Sequence, residues 1–133
     1  RAALVGRMVL STIHTNDALS AVTRLRDLGV PSYLLAATFR GVLSQRLVRT
    51  ICAGCAGSGC GRCNDTGRHG RTVLSEFLEF TPELAACVSG EGSLRDLAAA
   101  ATENGFVPMG EKAEMLVKSG KVAGSEALRV VGE

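Results

Sequence analysis

Apolar positions change their period several times along the chain, and each change predicts an element. Residues 8–11 form a short apolar run between Gly6 and the polar stretch 12–17. That run is too short for a helix and reads as a buried strand delivering Thr12, His14 and Thr15 to a loop. Asn16 or Asp17 then caps a helix whose Ala18, Ala21, Val22 and Leu25 recur at helical spacing, with Arg24, Arg26 and Asp27 elsewhere on its surface and Gly29 as its stop. Pro31 suits a first helical turn, and residues 33–47 are apolar on nearly every face apart from Arg40, Ser44, Gln45 and Arg46, which predicts a buried helix.

Residues 48–52 read as a strand entering a cysteine-rich segment, and 71–80, with Val73, Ser75, Phe77 and Glu79 alternating, as a strand leaving it. After Thr81-Pro82-Glu83 the pattern is helical, over about 82–89, 94–104, 109–119 and 125–131. Ser93 with Asp96, and Ser125, are the caps; Gly90, Gly105 and Gly120 are the stops. Leu94, Leu97, Ala98 and Ala101 make one apolar face and Met109, Ala113, Leu116 and Val117 another, so this part reads as a small helical bundle. No internal repeat or low-complexity linker stands out.

Composition narrows the function classes. At 133 residues and 46% hydrophobic, the chain can bury a core without covalent staples. Its net charge of +2 comes from intermixed acids and bases, without a basic run that would demand nucleic acid or an acidic membrane. Aromatic residues, at 4%, are too scarce for base stacking. There is no signal-peptide pattern and no apolar run of about 18 residues. A cytoplasmic location follows as the default expectation, and the absence of an initiator Met suggests a piece of something longer.

Four of the five cysteines, Cys52, Cys55, Cys60 and Cys63, are spaced C-x2-C-x4-C-x2-C. Paired C-x2-C knuckles supply four thiolates for a closed, structural zinc site, and a site filled on all four corners has no open position for chemistry. The four residues between the pairs reach at most about 16 to 18 Å when extended, enough to cross one ion, and glycines at 54, 57, 59 and 61 permit the tight turns. Redox-active thiols and an iron–sulfur cluster compete with this reading, although a thioredoxin-like pair should open a helix. Cys87, on an Ala-rich helix, reads as a small buried hydrophobe.

His14 lies in STIHTN, residues 11–16, at the end of an apolar run, where open α/β sheets place ligand-sensing side chains. It could bond a phosphate or a nucleophilic water, or be merely structural. The 133 residues contain no G-x4-G-K-[ST] phosphate cradle.

Taken in order, GRMVLSTIHTNDALSAVTRLRDLGV, GVLSQRLVRTIC, the paired cysteines, GRHGRTVLSEFLEFTPEL and KSGKVAGSEALRVVGE resemble the C-terminal part of the secretion ATPases of type II secretion and type IV pilus assembly. The resemblance implies an α/β fold with the C-terminal part of a RecA-like ATPase core over 1–50, a tetracysteine zinc subdomain over 51–72 and a helical subdomain over 73–133. STIHTN matches the family's His box, which puts His14 near the γ-phosphate, and QRLVR, residues 45–49, matches the segment before the metal subdomain. Cys52, Cys55, Cys60 and Cys63 match its zinc ligands.

Walker A, the Asp box and Walker B would precede Arg1, so ATP and Mg²⁺ belong to the full-length enzyme and the fragment alone should be inactive. The resemblance also implies a homo-hexamer working peripherally at the inner membrane with platform proteins. The family's cysteine pairs are usually separated by tens of residues, whereas four separate them here. Arg71 could meet phosphate, anionic lipid or a neighbouring subunit, or be a solvated strand-edge residue. A non-enzymatic zinc-knuckle binding module is the alternative, because CAGCAGSG fits the C-x2-C-x-G-x-G pattern of DnaJ-like co-chaperones, and a zinc-ribbon nucleic-acid binder is a weaker one.

Overall fold

A computed structural model describes residues 2–132. Its regular elements are α1 (Ala18–Asp27), α2 (Ser32–Thr38), β1 (Gly41–Ile51), β2 (Arg68–Glu79), α3 (Pro82–Ser89), α4 (Leu94–Glu103), α5 (Met109–Lys118) and α6 (Gly124–Val131), with short 3₁₀ turns at Ala2–Val5 and Gly61–Cys63. The two strands pair in one sheet. They run antiparallel, since Phe80 N–H donates to the Arg40 carbonyl at one end and Cys52 N–H to the Gly67 carbonyl at the other. The chain folds as two compact units, one of Arg1–Ser44 with Phe77–Val107 and one of Gln45–Glu76 with Pro108–Glu133. No helix is long and apolar enough to cross a membrane among the described residues.

The first unit packs α1 to α4 around Ala18, Val22, Leu35, Leu78, Leu84, Val88, Leu97, Ala101 and Phe106. Its helix starts follow side-chain chemistry: Asp17 accepts from Ser20 N–H at 2.7 Å, Thr81 from Leu84 N–H at 3.2 Å, and Ser93 and Asp96 cap each other reciprocally. Arg26, expected on the surface of α1, instead lies half-buried. Its guanidinium donates to the Val88 carbonyl at 2.8 Å and the Gly92 carbonyl at 2.9 Å, satisfying acceptors at the C-terminal end of α3.

The second unit packs Val48 of β1 and Leu74 of β2 against Met109, Ala113, Val122, Ala127 and Val130. Two buried carboxylates complete it. Glu76 on β2, 2% exposed, accepts the Met109 N–H at 2.6 Å and so caps α5, which begins after a proline that offers no side-chain cap. Glu126 on α6, 5% exposed, accepts from the Arg49 backbone N–H at 3.1 Å, the Arg129 guanidinium at 3.0 Å and Arg49 Nε at 3.4 Å. Chiefly the Arg129 hydrogen bond, helped by the Arg49 backbone and side chain against the opposing effect of burial, holds its carboxyl down to about 2.

Two expected elements are corrected. Residues 8–11 are not a strand: 7–15 have no regular structure, with Met8 80% and Leu10 90% exposed. The described residues contain only the β1–β2 pair, so these residues have no neighbouring strand to take up their backbone donors. The helix expected over 33–47 stops at Thr38; Phe39 turns extended and β1 begins at Gly41. Pairing with β2 overrides helical propensity here, and burial along 43–49 alternates with the two-residue period of a strand. Gly41 leaves space for the Phe77 ring, which would stand 2.8 Å from any β-carbon there.

Two measurements check these contacts. Arg26→Met should lower unfolding stability by about 1.5–3 kcal/mol, the usual loss for hydrogen bonds to a charged group, as a lower denaturation midpoint with unchanged slope. Glu126 has a folded pKa below its ordinary 4.5, so its contribution is complete above pH 4.5 and disappears as pH falls towards about 2. Glu126→Gln should therefore cost about 1–3 kcal/mol near pH 7 and flatten the acid limb of the stability curve.

Candidate metal centre

The hairpin positions the cysteines. Cys52 follows the last residue of β1, and its N–H bonds the Gly67 carbonyl at 2.9 Å, so the loop 52–67 closes on itself just before β2. Inside that loop the four Sγ atoms all lie within 4.8 Å of one another. Cys52 and Cys60 are 3.9 Å apart, Cys55 and Cys63 3.8 Å, and Cys60 and Cys63 3.7 Å. Sulfurs about 2.3 Å from one tetrahedral zinc ion stand about 3.8 Å from each other. A disulfide requires about 2.05 Å, and all five cysteines are free. The donor set and its spacing therefore fit a single tetrahedral ion; the four cysteines could bind a metal such as zinc.

The loop contains a repeat that the sequence reading passed over. CAGCAGSG (52–59) and CGRCNDTG (60–67) are the same eight-residue unit used twice. In each, the second cysteine's N–H bonds the first one's carbonyl, at 3.4 Å for Cys55 and 3.1 Å for Cys63. Ser58 Oγ donates to the Cys55 carbonyl and Thr66 Oγ1 to the Cys63 carbonyl, both at 2.6 Å. Positive φ recurs in the same three places: Ala56, Gly57 and Gly59, then Asn64, Asp65 and Gly67. Glycines 54 and 61, expected to turn this way, do not; Ala56, Asn64 and Asp65 take the left-handed positions instead. Gly67 is sterically obligatory, because a β-carbon there would collide with the Gly57 carbonyl oxygen. The signal was present in the eight-residue spacing of Cys, Ser/Thr and Gly, hidden by Asp65 standing where the first unit has Gly57.

Backbone amides aim at the sulfurs: Gly59 N–H lies 3.3 Å from Cys55 Sγ and Cys60 N–H 3.3 Å from Cys63 Sγ. For Cys63, burial pushes the thiol up, but the Cys60 and Gly67 amides and the neighbouring Cys60 and Cys55 thiols outweigh it and bring the pKa to about 6. Cys55 shows the same contest, burial against the Gly59 and Gly57 amides, with the amides prevailing. At Cys60 the Cys63 amide lowers the pKa, but burial and the adjoining Cys63 and Cys55 sulfurs carry it upward. Four thiols this close resist losing all their protons together unless a cation joins them. With every corner supplied by protein, the arrangement suits holding a loop rather than activating a substrate.

The remaining candidates lie elsewhere. His14 is exposed on the irregular segment before α1 and lines a cavity of about 480 Å³ with Thr15, Asn16, Asp17, Ser20 and Arg24 among others. It belongs to the first unit and the cysteines to the second. Arg71 is exposed on β2, and Cys87 packs half-buried against the first core, as expected of a small hydrophobe. Sequence reasoning missed Glu76 and Glu126, since acids on strands and helices give no signal of burial until their partners are placed.

Residues 1–129 match the family model described as type II/IV secretion system protein. The type II secretion system protein HxcR of Pseudomonas aeruginosa is 43% identical over 98% of this chain and 29% of its own length. The type IV pilus assembly ATPase TfpB of Acinetobacter baylyi is 37% identical over 98% of this chain and 27% of its own. The chain thus spans under a third of the length of these relatives. The X-ray structure of the ATPase DotB of Legionella pneumophila shares the fold, with a TM-score of 0.67 at 23% identity, over 98% of this chain and 33% of that one. The α/β architecture, the tetracysteine cluster and the match across residues 1–129 together make this chain a member of the type II/IV secretion system protein family.

Proposed function

We propose that the chain is the C-terminal part of a hexameric ATPase that powers type II protein secretion or type IV pilus assembly. The family match over residues 1–129 carries this reading, and relatives named for both systems support it. Residues 1–50 contribute the closing part of a RecA-like core, 51–72 the tetracysteine subdomain and 73–133 the helical subdomain. His14 faces the γ-phosphate in the assembled enzyme, where an imidazole N–H can stabilise charge developing on the transferred group. ATP and Mg²⁺ are held by a Walker A and a Walker B segment of the whole protein, which these 133 residues lack. The enzyme works in the cytoplasm, peripheral to the inner membrane, against platform proteins there.

Cys52, Cys55, Cys60 and Cys63 are the ligands of a structural zinc ion. Bound there, zinc supplies cross-linking energy to a loop of small and polar residues that has almost no core of its own. The chain's own part is to hold the sulfurs at tetrahedral spacing and to direct amides at them, which favours the thiolate form.

The purified chain should contain about one zinc per molecule and hydrolyse no ATP. Metal analysis with a phosphate-release assay checks both, and sustained hydrolysis by these 133 residues would sink the reading. In the whole protein, His14→Ala should lower kcat about 100-fold, the usual loss for one charge-stabilising donor, while nucleotide binding measured by equilibrium titration persists.

A further inference from the structure

The two eight-residue units differ most in side-chain size at their third position, where the first has Gly54 and the second Arg62. These two residues meet. A side chain beginning at Gly54 would find Arg62 Cδ 3.7 Å away, Cys52 Sγ 3.7 Å away and Cys60 Sγ 4.0 Å away. The arginine stem and a sulfur from each unit thus all come within 4.0 Å of one point, the place a β-carbon on Gly54 would take. Arg62 also lines a cavity of about 660 Å³ whose other walls include Cys52, His69 and Lys121, with no carboxylate among its lining residues. None of the ion pairs among the described residues uses Arg62, His69 or Lys121.

Backbone bonds hold His69 and Lys121 at this wall. Thr50 Oγ1 donates to the His69 carbonyl at 2.6 Å, and Ile51 N–H to the Lys121 carbonyl at 3.0 Å, so both residues are tied to the end of β1 that leads into Cys52. Over residues 51–71 three arginines stand against one aspartate. Four thiolates around one divalent cation carry two net negative charges, which matches that excess. A cavity beside such a centre would repel an incoming anion, so Arg62 and Lys121, outside the ion pairs of the described residues, answer to the sulfurs rather than to a soluble ligand.

We propose that Arg62, packed by Gly54, is the counter-charge of the tetrathiolate centre: a positioning residue that slows metal release by offsetting the charge on the Cys52 and Cys60 sulfurs, with Lys121 as a second cation on the cavity wall. This rests on the reading of the cluster as a metal site. Its chemistry is electrostatic, so it depends on the charge of the side chain and weakens as salt screens it.

The test is transfer of zinc from the loaded chain to an excess of chromogenic chelator, for wild type, Arg62→Gln and Arg62→Lys, at ionic strengths of about 0.01 M and about 1 M. Arg62→Gln should release zinc about 10-fold faster than wild type at low salt, in the range usual for residues that support a ligand shell. Arg62→Lys should stay near wild type, and the gap should narrow at high salt. Cobalt(II) loaded in place of zinc should show the same tetrahedral thiolate spectrum in all three proteins. Equal release by wild type and Arg62→Gln overturns the proposal, as does equal acceleration in both variants at both salts, which would make the arginine stem a packing element only. Pyrophosphate binding to the loaded wild type that Arg62→Gln abolishes without changing release overturns it in favour of a phosphate site. Failure of the wild type to bind either metal overturns the metal reading itself, a result separate from the others.

Discussion

Pairing of β1 with β2 is the constraint on which the rest depends. The two strands, 11 and 12 residues long, form the only sheet among the described residues, a ribbon about 35 Å in length. The pair contributes Leu78 to the core of the first unit, Val48 and Leu74 to that of the second, and leads into the cysteine cluster at Cys52. A two-stranded ribbon alone is marginal in water, and its free edges are templates for unwanted pairing. On β1 the outward amides of Arg49 and Ile51 are taken by the Glu126 carboxylate and the Lys121 carbonyl. The edge beside the cysteine loop is thereby covered by the unit's own helices and the turn between them.

Much of this was legible in the chain. Helices α3 and α4 announce themselves through caps that act within one turn, Thr81-Pro82 and the Ser93–Asp96 pair, whereas α6 starts at Gly124 with no side-chain cap and Ser125, expected to cap it, lies inside the helix. The clustering of the four cysteines was legible for a similar reason, since C-x2-C spacing is confined to a few residues. What failed was non-local. Residues 39–47 carry enough Leu and Val to suit a helix, and only the partner strand 68–79 decides otherwise. Residues 8–11 carry a strand's pattern, yet the described chain contains no neighbour for them. Arg26 was expected on the surface, and Glu76 and Glu126 gave no sign of burial, because their partners lie more than 60, 33 and 77 positions away.

Charge is handled differently in the two places where it is buried. Glu126 is neutralised by arginines whose side chains remain half in water, so it is stabilised without sealing an ion pair in a dry interior. Glu76 also accepts an amide at the start of α5, one of the donors a helix leaves unsatisfied. In the sulfur cluster, backbone amides at Gly59 and Cys60 face the Cys55 and Cys63 sulfurs.

The duplication within 52–67 bears on the order in which the molecule forms. Each eight-residue unit supplies half of the donors, so neither can hold an ion in tetrahedral geometry without its twin. Yet all four donors fall within one short consecutive stretch, and loops of this length close in about 10–100 ns, far sooner than pairings between distant segments. The four thiols can therefore come together before the finished fold does. A loop already clamped brings residues 52 and 67 together, which sets the first rung of the ribbon and leaves the strands to zip outward from it. The centre that anchors the finished hairpin is thus equipped to be its nucleus.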